Sequence, residues 1–345
     1  MIKYKNFSNY KIVFRCDAAD IPELGSGHVY RSIIIAHYLK KKFNLKFKQI
    51  SFLVKTKNKY SKSLKILNKH NFKILKIDSK IKDYSKKEAE YFKNFKANLL
   101  IIDRLGKVTK EFYEIIKDNY KKKIIIDDSS SYRKFFDLSL NPLIQNVPSF
   151  KGSKTGYQYL ILDNFKKNNS KIKTQDNNIF IFFGGYDSKK LSIKTIKLLD
   201  KLDLKLSLIL PLSYKDMCKR IRSKHKLVFF KSEKYLIELK KSNIAITAGG
   251  LGLFDAILNK KKIICIPQYK HQEINAKKIA KTNAINFIDS DKENFNKKLI
   301  TLFVKIYKDK QYLRKINAIQ NKIINIKKIN NTLRLISNIY DKSNN

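Results

Sequence analysis

The residues with most chemistry to offer stand close together near the start of the chain: Arg15-Cys16-Asp17-Ala18, then Gly25-Ser26-Gly27-His28-Val29-Tyr30-Arg31. Gly25 and Gly27 let a backbone approach a ligand closely, the start of a following helix offers unpaired N–H groups to an anion, and His28 lies at that junction. An imidazole titrates near neutral pH and can take a proton from water or a hydroxyl. The same residues also read as an ordinary strand-to-helix turn with a buried or capping histidine, because a short Gly-x-Gly is common.

These residues must be positioned by the elements around them. Lys11-Ile12-Val13-Phe14 precedes the turn as an apolar strand, and Val29 to Lys42 follows it with helical spacing. Strand and helix patterns then alternate. Ala97-Asn98-Leu99-Leu100-Ile101-Ile102-Asp103 is a continuous apolar run ending in an acid, as expected of a central parallel strand that delivers Asp103 to the ligand-binding edge of a sheet. Asp103 reads equally as the cap of the next helix. Lys123-Ile124-Ile125-Ile126-Asp127-Asp128 repeats the pattern with another acidic end.

Residues 166–178 are polar and aperiodic and read as a linker between an N-terminal domain (1–165) and a C-terminal one (179–325), with 326–345 as a closing helix and tail. Beyond the linker the alternation restarts. Ile179-Phe180-Ile181-Phe182-Phe183 runs into Gly184-Gly185, and Ile244-Ala245-Ile246-Thr247 runs through Ala248 into Gly249-Gly250 and a helix, an arrangement suited to receive phosphate. The expected fold is α/β: two Rossmann-like domains with parallel sheets facing a cleft. The residues from Lys297 to Tyr340 read as helices that pack on both domains.

Composition bounds the function. The 345 residues are 43% hydrophobic and 12% aromatic, enough for a sizeable core. The formal charge of +46 is mostly lysine spread along the whole chain, so no specific nucleic-acid partner is expected, and any attraction to an anionic membrane is peripheral and unlocalised. No apolar stretch reaches the ~20 residues that span a bilayer. Cys16, Cys218 and Cys265 lack metal-ligand or disulfide spacing. A cytoplasmic, monomeric protein without metal or cofactor is the expectation.

The order of these motifs resembles the two-domain glycosyltransferase B fold, so that the implied architecture is GT-B-like, and specifically the family of the UDP-sugar hydrolase of pseudaminic acid biosynthesis and its spore-coat polysaccharide relatives. The matching residues are Arg15-Cys16-Asp17-Ala18 with Gly25 to Arg31, Ile101-Ile102-Asp103, Ile125-Ile126-Asp127-Asp128, Tyr159 to Leu162, Phe182 to Asp187, Ala248-Gly249-Gly250 with Asp255, and Gln272 with Asn275-Ala276. The resemblance implies that His28 is the general base on a water that attacks a UDP-linked acetamido-trideoxy sugar, inverting its anomeric carbon without a metal. Asp17 would hold that ring or bind a sugar hydroxyl. Arg15, Gly25, Ser26, Gly27, Arg31 and Asp103 would form the rest of the sugar side. On the UDP side, Gly249 and Gly250 would meet the diphosphate and Asp255 the ribose, with Gly184, Gly185, Gln272 and Asn275 among the other residues of the nucleotide-binding half.

Several positions depart from the family pattern. The link from Ala18 to Gly25 is two residues longer, Leu251 and Gly252 replace a serine and a threonine, Arg104 and Leu105 replace a histidine and a tyrosine, and His271 replaces an asparagine. The sugar is therefore open. So is the acceptor: the same fold serves a glycosyltransferase that uses a hydroxyl in place of water, or a nucleotide-sugar-binding protein without turnover.

Overall fold

Apolar runs such as Ile12–Phe14 and Leu99–Ile102 are satisfied only by burial on both faces, and in the computed structural model they lie side by side in the middle of a parallel sheet. The structure describes residues 11–21, 24–104, 106–144, 146–163 and 172–343, with the backbone alone at 326–328. It divides into unit 1, Met1–Asp163 with Ile326–Asn345, and unit 2, Asn164–Asn325.

Unit 1 alternates β1 (Ile12–Arg15), α1 (Gly27–Lys42), β2 (Ile50–Lys55), α2 (Ser61–Leu67), β3 (Lys73–Ile77), α3 (Lys86–Lys93), β4 (Ala97–Asp103), α4 (Lys110–Ile116), β5 (Tyr120–Ile126), β6 (Leu138–Asn141) and β7 (Ser153–Thr155). The strand order is β3-β2-β1-β4-β5-β6-β7, all parallel. The order reverses between β1 and β4, so their carboxyl ends form the switch point where open α/β sheets hold ligands. Side chains alternate between the faces. Ile12, Phe14, Leu99 and Ile101 join the core under α1 (Val29, Ile33, Ala36), whereas Val13, Leu100 and Ile102 join Phe92 of α3 and Phe112 of α4 on the other side.

Unit 2 contains β8 (Gln175–Phe182), α5 (Leu191–Leu199), β9 (Ser207–Pro211), α6 (Lys215–Cys218), β10 (Lys226–Phe230), α7 (Tyr235–Lys241), β11 (Ser242–Thr247), α8 (Leu251–Leu258), β12 (Lys262–Cys265), α9 (Lys270–Ala280), β13 (Asn286–Phe287), α10 (Phe295–Lys308) and α11 (Tyr312–Ile323). Its parallel order β10-β9-β8-β11-β12-β13 places a second switch point between β8 and β11, where Gly184-Gly185 and Gly249-Gly250 follow the strands. The last helix, α12 (Ile326–Asp341), belongs to unit 1, whose core receives Leu333, Ile336 and Tyr340.

One boundary and one capping residue differ from the sequence expectation. β8 begins at Gln175, inside the stretch expected as linker, because Gln175 pairs with Ser242 of β11: a backbone ladder extends a strand through polar residues that hydrophobic pattern cannot mark. Residues 164–171 of that stretch lie outside the described residues. Asp103 does not cap a helix. Thr109 caps α4, accepting a hydrogen bond from Phe112 N at 3.2 Å.

Candidate functional site

In unit 1 the turn after β1 closes through Ala19 N–H to Gly25 O at 2.9 Å, with Gly25 at φ 56°, a backbone state that favours glycine. Ser63 of α2 clasps the link, its hydroxyl accepting from Ala18 N at 2.8 Å and donating to Ala18 O at 3.0 Å. Pro22 and Glu23 of the longer link lie outside the described residues. Ser26 occupies the N-cap of α1 without a side-chain capping bond, and Gly27 opens the helix. His28 is therefore in the first turn, and Arg31, three residues on, shares its face.

Both meet Asp103. The register of β1 with β4 pairs Arg15 with Ile102, which sets Asp103 one step further, beside the start of the β1 turn. Alternation puts Asp103 on the α1 side with Leu99 and Ile101. There its Oδ1 lies 2.8 Å from His28 Nδ1 and accepts from Arg31 Nη2 at 2.6 Å, while Oδ2 accepts from Arg31 Nε at 2.7 Å. Burial alone would raise the Asp103 carboxyl, but the Arg31 charge and hydrogen bonds, with those of His28, hold it below the usual range. It is a carboxylate and accepts only, so a neutral His28 carries its proton on Nδ1 and presents an unprotonated Nε2. The His28 side chain retains 12% exposure, whereas Asp103 has none.

Arg15 and Arg104 fall on the opposite face by the same alternation. Arg15 is fully buried, with Nη1 2.7 Å from Asp17 Oδ2 and Nε 3.0 Å from Glu88 Oε1. Arg104 forms a two-pronged pair with Glu88 at 2.5 Å and stacks on the Tyr84 ring. Despite burial, these two guanidinium groups hold the Glu88 carboxyl down at about 2. Asp17 faces Arg15 and accepts from Lys55 N at 2.8 Å, so the carboxylate that holds the His28 ring is Asp103 and not Asp17. In this arrangement Arg15 and Asp17 lock the end of β1 to β2 and α3.

In the sequence Asp127 is marked only as an acidic strand end. Ile125 faces α3 and α4, and simple alternation would send Asp127 the same way. Its left-handed backbone, φ 54°, breaks the alternation. The carboxylate reaches Arg31 instead, Oδ2 accepting from Nη1 at 2.7 Å, and Asp128 turns to the other side, accepting from Val108 N at 3.0 Å.

In unit 2 the expected glycines have distinct physical grounds. Gly184 has φ 86° and its carbonyl accepts from Tyr214 OH at 2.8 Å; Gly185 follows it in the same turn. A Cβ on Gly249 would lie 2.6 Å from Gln272 O, so Gly249 is where α9 approaches the turn. Gly250 is the N-cap of α8 and supplies no capping side chain. Gly252 lets α8 pack on β8: a Cβ there would lie 2.7 Å from the Phe182 ring. Gln272 Oε1 accepts from Gln268 N at 3.0 Å, and Asn275 is buried one turn further along α9. Asp255, half-buried on α8, accepts from Tyr235 OH at 3.1 Å. A shallow pocket lined by Lys189, Gln268, Tyr269, Lys270, Phe287 and Asp291 contains none of the expected site residues.

Among the described residues no group of three or more His, Cys, Asp or Glu could hold a metal ion, the three cysteines are free and buried, and no helix is long and apolar enough to cross a membrane.

Two parallel-sheet α/β units, each with a turn at its switch point, define a GT-B-like fold, and solved structures agree. The chain is similar to Acinetobacter baumannii MurG (14% identity, 95% of this chain and 99% of that one, TM-score 0.65) and to the spinosyn forosaminyltransferase SpnP (8%, 98% and 100%, TM-score 0.68). It is also similar to Anabaena Alr3699/HepE, solved in complex with UDP and glucose (12%, 95% and 99%, TM-score 0.56). At these identities the likeness is one of fold. In sequence, the chain is 30% identical, over an alignment of 290 positions that covers 76% of this chain, to the uncharacterized protein MJ1062 of Methanocaldococcus jannaschii, of which it spans 57%. No protein-family model matches the chain.

Proposed function

We propose that the protein is an inverting glycosyltransferase acting on a UDP-linked acetamido sugar, with His28 as general base. The observation that carries the reading is His28 Nδ1 on an Asp103 carboxylate that Arg31 clamps, which leaves Nε2 to accept a proton. In the step proposed, an acceptor hydroxyl gives its proton to His28 Nε2 while its oxygen bonds to the anomeric carbon. The bond from that carbon to the diphosphate breaks, and its electron pair leaves with UDP. The turn at Gly249-Gly250 and the N-terminus of α8 would receive the diphosphate charge, as backbone N–H groups and a helix dipole stabilise a leaving anion. Asp255 would accept from the ribose. Transfer is put before hydrolysis because SpnP, whose fold the chain shares, is a forosaminyltransferase by name.

A second reading rests on the turn itself. Arg15 to Asp17 and Gly25 to Arg31 resemble the hydrolase motif, and there water takes the place of the acceptor. Incubation with UDP-linked acetamido sugars, with and without sugar acceptors, separates the two. UDP release that depends on an acceptor and gives an inverted linkage supports transfer. Release without acceptor, giving the inverted free sugar, supports hydrolysis. In either case His28→Ala is expected to lower the rate by about 10²–10⁴-fold. Nucleotide-sugar binding without turnover would overturn both.

A further inference from the structure

Asp127 holds two things at once. Its Oδ2 accepts from Arg31 Nη1 at 2.7 Å, and its Oδ1 accepts from the backbone N–H groups of Leu143 and Ile144, at 2.9 and 3.2 Å, in the segment that follows β6. Arg31 is 1% exposed, so each edge of its guanidinium must be satisfied by protein: Nε and Nη2 by Asp103, Nη1 by Asp127. Asp103 Oδ1 is shared between Arg31 Nη2 and His28 Nδ1. The position of Arg31 therefore decides where that oxygen sits, and with it which ring nitrogen of His28 is bonded. With two carboxylates, one guanidinium and a neutral imidazole the set carries a formal charge of −1, which falls to zero when the imidazole gains a proton. The left-handed backbone at Asp127 is what delivers the second carboxylate to this face of the sheet.

We infer that Asp127 is a positioning residue for His28: by fixing Arg31 against Asp103 it holds the imidazole in the tautomer with its proton on Nδ1, and it couples that hold to the segment 142–144. The inference rests on His28 being the base, but it can be read without turnover. Asn tolerates the left-handed conformation, so Asp127→Asn keeps an oxygen for Leu143 and Ile144 while removing the charge and turning an N–H donor toward Arg31.

The test is nitrogen-15 spectroscopy of the full chain in alkaline buffer, where imidazoles are neutral, with the His28 signals assigned by their loss in His28→Gln. The wild type is expected to show His28 in one tautomer, protonated on Nδ1, and Asp127→Asn a mixture of two. On the substrate that the release assay identifies, kcat should fall about tenfold or more with KM within about twofold. A folded Asp127→Asn protein that keeps the single tautomer overturns the inference and leaves Asp127 as a clasp for 142–144. If Asp127→Asn does not fold, Arg31→Lys, which keeps the charge but lacks the planar fork that meets both Asp103 oxygens and Asp127 together, carries the same two readings. Absence of turnover by the wild type would sink the glycosyl-transfer reading, while the tautomer spectra would still decide the role of Asp127.

Discussion

At the scale of single residues, His28, the proposed base, and Asp103, the buried carboxylate that it meets, differ in burial, and their substitutions should separate in stability. His28→Ala removes the proposed base but only one hydrogen bond at a site that retains some exposure, so thermal stability should change by no more than about 1–2 kcal/mol. Asp103→Asn leaves the buried Arg31 with one carboxylate, for which a loss of about 3–5 kcal/mol is expected by chemical denaturation, together with a rate loss comparable to that of His28→Ala. His28 and Asp103 were both legible as candidates, since each ends or begins a strongly patterned element. Their partnership was not. Asp17 is nearer to His28 in sequence, and only the register of β1 with β4 and the alternation of the strands bring Asp103 to the ring and take Asp17 to Arg15. Asp127 was harder still, because a single left-handed residue reversed the face that alternation would assign it.

Among elements, the turn before α8 offers a graded test of why glycine stands there. Gly249→Ala would force a Cβ to 2.6 Å from the Gln272 carbonyl and should cost about 1–3 kcal/mol. Gly250→Ala meets nothing closer than 3.7 Å and should cost less than about 1 kcal/mol. Gly184→Ala has open space but φ 86°, so backbone strain of about 1 kcal/mol is its expected cost. Urea unfolding of the three variants checks the order. Glu88 makes a different prediction, because it ties α3 to the ends of β1 and β4 through Arg15 and Arg104. Its carboxyl is lowered from 4.5 to about 2 in the folded protein, so its stabilisation, about 3 kcal/mol, is fully present above pH about 4.5 and is lost as pH falls toward 2. Denaturation from pH 6 to pH 2.5 should show that loss, and Glu88→Gln should flatten it. Nothing in the sequence singled out Glu88, which sits in a lysine-rich helix and whose partners are 73 and 16 residues away.

For the whole molecule, unit 1 is completed by the last stretch of chain. Ile329, Leu333, Ile336 and Tyr340 of α12 are each buried to 1% exposure or less, and at about 1.5–3 kcal/mol apiece their burial is comparable to the entire stability of a domain. A protein ending at Asn325 is therefore expected to lose the cooperative unfolding and protease resistance of unit 1, as measured by limited proteolysis with peptide mapping. The amphipathic spacing of the C-terminal residues marks helices, but their packing partner is a matter of tertiary contact: the Tyr340 ring packs at a tilt on Phe43 and Ser337 accepts from Lys42, both partners lying at the end of α1 in unit 1. By itself the sequence determined the alternating α/β class, the two-part organisation and the glycine turns at the strand ends, because periodicity, apolar runs and glycine act locally on the backbone. Only the tertiary structure decided which carboxylate serves His28, where Asp127 points and which unit α12 completes. Strand register, a reversed dihedral and long-range burial join residues whose separation in sequence carries no record of their contact.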